Sequence, residues 1–453
     1  MDRTQMRLIP LLLAAFAAIA ALAPAAASAR FVAGEVIVNY EPGADREAIE
    51  RAAGVGDARA LAGGSRALRI LDGESVTATV AELREAPGVE YAAPNAVARV
   101  TDFMPNDPGQ GGIGEWHVTQ WNFAGAAGVN APRAWDLARQ AKAAGGRGVV
   151  VAVLDTGVAY QSRGPFRRAP DLYARRFVRG YDFVDDDRFP NDENGHGTHV
   201  TGTIAQRTNN AQGVTGLAYG VKIMPLRVLD FQGAGDAGAI ARAIRYAAKR
   251  RARVINMSLE FDSSVTASQI PDIVRAIRYA HRRGTVTVAA SGNEGNRAVA
   301  YPARTGHVIS VGATTVRGCQ AEYSNSGSGL DLVAPGGGID AVPPPAGSPE
   351  VNEYDTNTCK PDESGPDIFQ QTFTRNIKTF GLPPGYQGTS MAAPHVSAAV
   401  ALILATRRLG RRPSPARVER RLEQTARDLG PAGYDRRYGW GLIDAAAAID
   451  PAR

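Results

Sequence analysis

Cysteine is nearly absent from this chain. Cys319 and Cys359 are the only two among 453 residues, so at most one intramolecular disulfide can form, and the sequence does not reveal whether the two lie close enough to bond. Lysine is scarce too, with five against forty-six arginines. The formal charge of +6 therefore rests on arginine, and the arginines are scattered through segments of helical pattern, 241–253 and 275–283, where a solvated face accounts for them. Nucleic acid is not an expected partner on that basis, and few lysines with abundant alanine point to a GC-rich bacterial source. Long apolar runs are missing beyond the first thirty residues, so no later segment is expected to span a bilayer. No internal repeat is evident.

What is present begins with an export signal. Arg3 and Arg7 precede the apolar stretch 8–26, broken by Pro10 and Pro24, and Ala27-Ser28-Ala29 fits a small-x-small cleavage site. Residues 1–29 are expected to be a secretory signal peptide, with an N-terminal membrane anchor as the alternative, and the protein to be secreted, extracellular or periplasmic. In an oxidising compartment a Cys319–Cys359 disulfide becomes plausible and would tether a long insertion to the core. The remaining chain, in a sequence that is 44% hydrophobic, has ample material for a large core and a smaller domain.

Four motifs carry chemistry. The apolar run 149–154 ends in Asp155-Thr156-Gly157, a buried parallel strand with a carboxylate at its C-terminal tip, where open α/β sheets place their chemistry. Gly195-His196-Gly197-Thr198-His199 follows with two imidazoles. The strand 286–290 leads into Ser291-Gly292-Asn293, and Gly388-Thr389-Ser390-Met391 sets a serine at a turn-to-helix junction, where the first helical amides have no partner within the helix. A serine hydroxyl is a poor nucleophile until an imidazole takes its proton. The imidazole needs a carboxylate to fix its tautomer, and the tetrahedral oxyanion needs donors. Each residue alone has a structural explanation as a cap or turn former; the four together, in the order Asp, His, Asn, Ser, do not.

From about residue 105 to 449 the chain resembles the subtilisin-like serine proteases. The resemblance implies an endopeptidase acting on protein or peptide substrates through an acyl-enzyme. Asp155 would orient the imidazole, His196 act as general base and then acid, Ser390 as nucleophile, and Asn293 as oxyanion donor beside the Ser390 backbone N–H. His196 and His199 stand three apart like a zinc pair, but the glutamate of an H-E-x-x-H helix is missing and glycines flank His196. His199 and His395 are therefore read as structural. The fold expected is α/β, a parallel sheet with helices on both faces, from strands at 223–228, 254–258, 286–290 and 308–311 and helices at 238–250, 270–283, 390–407 and 415–426.

Ahead of this region, strands at 34–40, 67–71 and 89–91 and helices at 46–53 and 77–85 suggest a small α+β, ferredoxin-like domain of βαββαβ-like order. It resembles the propeptide of subtilisins, which implies a folding aid and inhibitor. The organisation expected is thus a signal peptide at 1–29, a propeptide at 30–102 and a catalytic domain at 103–453, with self-cleavage between about 98 and 107. A Pro-, Gly- and Asp-rich insertion at about 336–387 departs from the compact family pattern and, entering directly before Ser390, is expected to roof part of the cleft.

The resemblance extends to structural calcium. Asp171, the Asn210 side chain and the loop carbonyls of Thr208, Gln212 and Val214 would hold one Ca²⁺ together with Asp107, and Asp182 and Asp187 a second. It also places Ser258 and Leu259 along one wall of the primary specificity pocket, Ala290, Ser291 and Gly292 along the other, and Ala300 at its floor. No acid sits at that floor, which implies a large apolar side chain before the scissile bond. Glu260 stands where the family usually has glycine, and a carboxylate there either favours a basic residue or narrows the cleft. A monomer is expected. A catalytically silent peptide-binding scaffold and a zinc hydrolase using His196 and His199 are the alternative readings.

Overall fold

The computed structural model describes residues 31–96, 103–344, 355 and 358–452. The signal-peptide reading and the first half of the expected cleavage linker lie outside the described residues. The chain divides into two compact units between Thr101 and Asp102.

The first unit runs β1 (Phe31–Tyr40), α1 (Arg46–Ala52), β2 (Val55–Ala60), β3 (Arg66–Ile70), α2 (Val76–Glu85) and β4 (Val89–Ala96). Its antiparallel sheet has the order β2-β3-β1-β4. Asp45 and Ser75 start the two helices, each side chain accepting a hydrogen bond from the backbone N–H three residues on. Val36, Val38, Leu68, Val80 and Leu83 form its core. The edge strand β2 is missing from the sequence reading. Val-Gly-Asp-Ala-Arg-Ala buries only its valine and carries no alternating pattern to detect.

The second unit continues with α3 (Trp116–Thr119), α4 (Ala131–Gln140), β5 (Val150–Asp155), β6 (Tyr181–Asp182), α5 (His196–Ala205), β7 (Lys222–Arg227), α6 (Ala237–Lys249), β8 (Val254–Met257), α7 (Pro271–Arg282), β9 (Val286–Ala290), β10 (Val308–Thr314) and β11 (Leu332–Pro335). After these come the short pair β12 (Thr372–Phe373) and β13 (Phe380–Gly381), then α8 (Thr389–Thr406), α9 (Pro415–Thr425) and α10 (Ala445–Ile449). Seven strands form a sheet in the order β11-β10-β9-β8-β5-β7-β6, and every pairing in it is parallel. Helices α6 and α7 pack on each other and against β5 and β9. Helices α5 and α8 pack on each other, with α8 running across β8 to β11. Covered in this way, β8, β9, β10 and β11 are buried along their whole length, which is why they read as unbroken apolar runs.

The strand order reverses at β5, whose neighbours β7 and β8 follow it in sequence on opposite sides. A crevice at such a reversal, outside the carboxyl ends of the strands, is where doubly wound sheets bind ligands. Asp155 pairs with Arg227 at the last position of β5 and β7, and Ser258 and Ser291 follow directly on β8 and β9. Helix α8 is the described helix long and apolar enough to meet the criterion for crossing a membrane, but it is largely buried inside the unit.

Cys319 and Cys359 are bonded, with Cα atoms 5.7 Å apart, closing a loop of 40 residues. The described part of the insertion contributes no lining residue to the cleft beside Ser390. It runs instead past the histidine helix. Thr372 Oγ1 donates to the Gly195 carbonyl at 2.6 Å, Asp171 N donates to Gln371 Oε1 at 2.9 Å, and Tyr386 stacks on His199 with ring centroids 4.1 Å apart.

Candidate active site

The tip of β5 and the start of α5 hold the first pair. His196 Nδ1 donates to Asp155 Oδ1 at 2.7 Å, the carboxylate being fully buried and the imidazole a quarter exposed. Oδ1 also accepts from Thr156 N at 2.8 Å. A proton fixed on Nδ1 leaves Nε2 bare, as a base requires. Burial works against the charged ring, but the charge and hydrogen bond of Asp155 prevail and hold the His196 pKa above the ordinary histidine value. Gly197 allows the close approach of helix and strand. A Cβ there would lie 2.1 Å from the Gly157 carbonyl and 3.1 Å from Asp155 Oδ1.

Asp192, which the sequence reading passed over, anchors the same helix. Its buried carboxylate accepts from Asn194 N, Gly195 N and Thr156 Oγ1, each at 2.9 Å, and from Thr198 N and Oγ1 at 2.9 and 2.6 Å. Asp192 lies three residues ahead of the N-cap Gly195, outside the capping position, so no helix-start signal in the sequence marks it.

Ser390 is the second residue of α8, where backbone N–H groups are free of helical partners. Pro394 lies four residues further along and has no N–H to give the Ser390 carbonyl. That carbonyl accepts instead from Ser258 Oγ at 2.8 Å, while Ser390 Oγ donates to the Ser258 carbonyl at 3.2 Å. Asn256 extends the chain, donating to Ser258 Oγ at 3.0 Å and accepting from Ser397 Oγ at 2.8 Å. The pocket wall is thereby locked to the serine helix. His196, Ser390, Ser258, Leu259 and Glu260 line one cleft of about 530 Å³, to which no described residue of 336–387 contributes.

Asn293 faces the same region. Its Oδ1 accepts from Thr389 N at 2.7 Å and Oγ1 at 2.9 Å, which aims Nδ2 the other way, onto Glu260 Oε1 at 3.1 Å. Ala290, Ser291 and Ala300 are buried, and Ala300 N donates to the Ser291 carbonyl at 2.8 Å. Gly292 has φ +114° and no room for a Cβ, which would lie 2.1 Å from Asn325 Nδ2.

The two histidines set aside in the sequence are neutral and structural. Burial drives the His199 pKa down to about 3, and Nε2 donates to the Ile368 carbonyl at 2.8 Å. Burial takes His395 to about 4. Its Nδ1 donates to the Met391 carbonyl at 2.9 Å, and its Nε2 accepts from Asn122 Nδ2 at 2.8 Å. His199 Nδ1 is buried without a partner, but among the described residues His196 and His199 belong to no group of three or more acidic, histidine or cysteine side chains close enough to share a metal ion.

At the place of the first calcium reading, backbone hydrogen bonds join the loop 208–214 to Asp107. Asp107 accepts from Asn209 N at 2.7 Å and Asn210 N at 3.0 Å. The buried Asp171 accepts from Asn210 Nδ2 at 2.7 Å and Gln206 Nε2 at 2.8 Å. Burial raises its pKa to about 7, with the charge of Asp107 adding to the rise. Asn210 Oδ1 is buried without a partner. Two desolvated carboxylates and an unpartnered amide oxygen are a hard-oxygen donor set that fits Ca²⁺. Val214 is buried beside them, and Thr208 Oγ1 donates to the Gln206 carbonyl at 3.2 Å.

The second calcium reading meets a competing cation. Arg227, buried at the tip of β7, pairs with Asp182 at 2.9 Å, Asp185 at 2.6 Å and Glu193 at 2.6 Å, and Asp187 turns its carboxylate to Phe189 N at 2.7 Å. One guanidinium among three carboxylates leaves the run net acidic, and Asp182 Oδ1 also accepts from Val184 N at 2.9 Å and Asp185 N at 3.0 Å.

A doubly wound sheet whose strand tips present a carboxylate-bound imidazole beside a helix-borne serine is the framework of a serine hydrolase. Comparison with known proteins is more specific. Residues 146–441 match the Subtilase family, and residues 17–95 match the fervidolysin N-terminal prodomain. The chain is 34% identical over 412 residues to the thermophilic serine proteinase of Bacillus sp. strain AK1, covering 90% of this chain and 86% of that protein. It is 36% identical over 347 residues to thermitase of Thermoactinomyces vulgaris, covering 77% and 99%. Among solved structures, a protease from Pseudoalteromonas arctica superimposes with a TM-score of 0.60 at 31% identity, over 78% of this chain and all of that one. The chain belongs to the subtilase family. It is a serine protease with an N-terminal prodomain.

Proposed function

We propose that the protein is an exported endopeptidase, made as a self-processing zymogen, that cleaves peptide bonds through Asp155, His196 and Ser390. The observation that carries this reading is the 2.7 Å contact between His196 Nδ1 and Asp155, together with Ser390 opening on the same cleft. In the free enzyme Ser390 Oγ donates to the Ser258 carbonyl. With substrate present it donates to His196 Nε2 as it attacks the scissile carbonyl. The proton then passes from His196 to the leaving amine, and water repeats the sequence on the acyl-enzyme. Asn293 Nδ2 and the Ser390 N–H would meet the oxyanion, the second donor supported by the free amides at the start of α8.

Calcium would be held by Asp171, Asn210, Asp107 and the carbonyls of Thr208, Gln212 and Val214. Bound there, it neutralises two buried carboxylates and fixes the loop against the segment around residue 107. The relative named extracellular protease, from Xanthomonas campestris, supports export, as does the pattern of residues 1–29. The prodomain match supports zymogen maturation in which the first unit assists folding and inhibits until it is cut away.

The test is to express the full chain in an exporting host as wild type and as Ser390→Ala, and to follow the mass of each. Loss of the signal peptide from both, and of a further ~8 kDa from the wild type alone, is expected for some seventy residues of prodomain. Equal processing of the two forms would contradict self-maturation.

A further inference from the structure

The substrate cleft is acidic in a basic protein. Of the residues that line it, Glu260 and Asp262 are carboxylic acids and none is arginine or lysine, in a chain with forty-six arginines. Among the described residues Glu260 has no ion-pair partner. Burial raises its pKa, and the charge of a second carboxylate, Glu294, acts in the same direction.

Where that side chain goes is the informative point. Glu260 leaves the Ser258–Leu259 wall and crosses to the opposite one. Its Oε2 accepts from Asn293 N at 2.9 Å, and its Oε1 from Asn293 N at 3.2 Å and Asn293 Nδ2 at 3.1 Å. The crossing depends on Gly292, because a Cβ there would stand 2.5 Å from Oε2. A half-buried carboxylate thus spans the two walls of the pocket for the residue before the scissile bond. It also accepts one of the two amide hydrogens of the group that would meet the developing oxyanion.

We infer that Glu260 makes this cleft selective for a basic side chain, arginine or lysine, at the position immediately before the scissile bond, and that Asn293 is released to the oxyanion when the substrate cation draws the carboxylate to itself. An uncompensated carboxylate between pocket walls favours a cation through a charge-assisted hydrogen bond, which an apolar side chain cannot offer. An apolar side chain leaves Glu260 on Asn293, so a negative carboxylate stays beside the amide group that must meet the developing negative charge of the oxyanion. The discrimination therefore falls on kcat as well as on KM. This departs from the apolar preference implied by the pocket floor, where Ala300 leaves room for length but supplies no charge. The inference rests on the protease reading, and its test separates the two.

Two peptides differing only in Arg or Leu before the scissile bond would be assayed with the mature wild type, E260Q, E260D and E260G, with active sites titrated by a fluorophosphonate. The wild type is expected to favour Arg by about 10- to 100-fold in kcat/KM, the factor that a hydrogen bond to a charged group supplies. E260Q and E260G are expected to abolish that preference, E260D to restore part of it, and E260G to raise kcat for the Leu peptide. A wild type that cleaves the Leu peptide as well as the Arg peptide overturns the inference. So does a ratio unchanged in E260Q while Ser390 still reacts with the probe, and the protease reading then survives. A wild type that does not react with the probe overturns both.

Discussion

Calcium is expected to stabilise this protein more strongly as the pH rises, and Asp171 sets the size of the effect. Its carboxyl is about 1% exposed, receives hydrogen bonds only from the neutral amides of Gln206 and Asn210, and has its pKa raised from 3.8 to about 7. Without metal the folded state therefore holds this proton more tightly than the unfolded chain does. Between those two values the native form binds more protons, so stability falls with rising pH and the loss is complete above about pH 8. The difference is worth about 4 kcal/mol at most. Over the roughly 350 residues of the second unit, an unfolding entropy of about 2 cal/mol/K per residue turns this into about 5 °C. The assay is thermal unfolding of the S390A protein, which cannot digest itself, at pH 5, 7 and 9 in chelator and in calcium. The melting temperature in chelator should fall between pH 5 and 9 by about 4 °C more for Asp171 than for D171N, since about two thirds of the effect lies above pH 5, and calcium should restore it most at pH 9. A D171N protein that keeps both the slope and the calcium response would refute the argument.

Asn293→Ala is expected to lower kcat with little change in KM, because the amide acts on charge that develops only in the transition state. The loss of about 10²–10³-fold known for the equivalent donor of a subtilisin is the magnitude expected, read by steady-state kinetics. The acid limb of the kcat/KM profile should report His196, whose pKa Asp155 holds above the ordinary value near 6.5. Activity should appear as the pH rises through a midpoint above 6.5, and a midpoint at or below 6 would argue against that pairing. Arg227→Met leaves Asp182 buried beside two further carboxylates, so denaturant unfolding of the S390A background should show a loss of about 3–5 kcal/mol. A change under 1 kcal/mol would mean that another cation takes its place.

The parts of this protein visible in its sequence are those where one short segment carries its own signal. The buried strands β5, β8 and β9 are continuous apolar runs with the chemistry directly at their tips. The serine sits in a turn-to-helix junction that announces itself. What stayed hidden depends on two distant side chains meeting. Arg227 is one arginine among forty-six until β7 sets it beside β6 and three carboxylates. Asp192 looks like another loop acid until the helix start folds onto it. Glu260 is visible as an oddity after Ser258-Leu259, but only the fold shows it reaching Asn293, thirty-three residues away. The short edge strand β2 and the path of the insertion along α5 were unreadable for a similar reason, since neither carries a periodic pattern of its own.

The most direct test of the central claim is to treat the mature wild type, and H196A freed of its prodomain by added wild-type enzyme, with a fluorophosphonate and map the modified residue of each by peptide mass. The account predicts a single phosphonylated serine, Ser390, whose labelling slows by orders of magnitude when the imidazole is removed. Labelling at another residue, or labelling of Ser390 that proceeds equally fast in H196A, would contradict it.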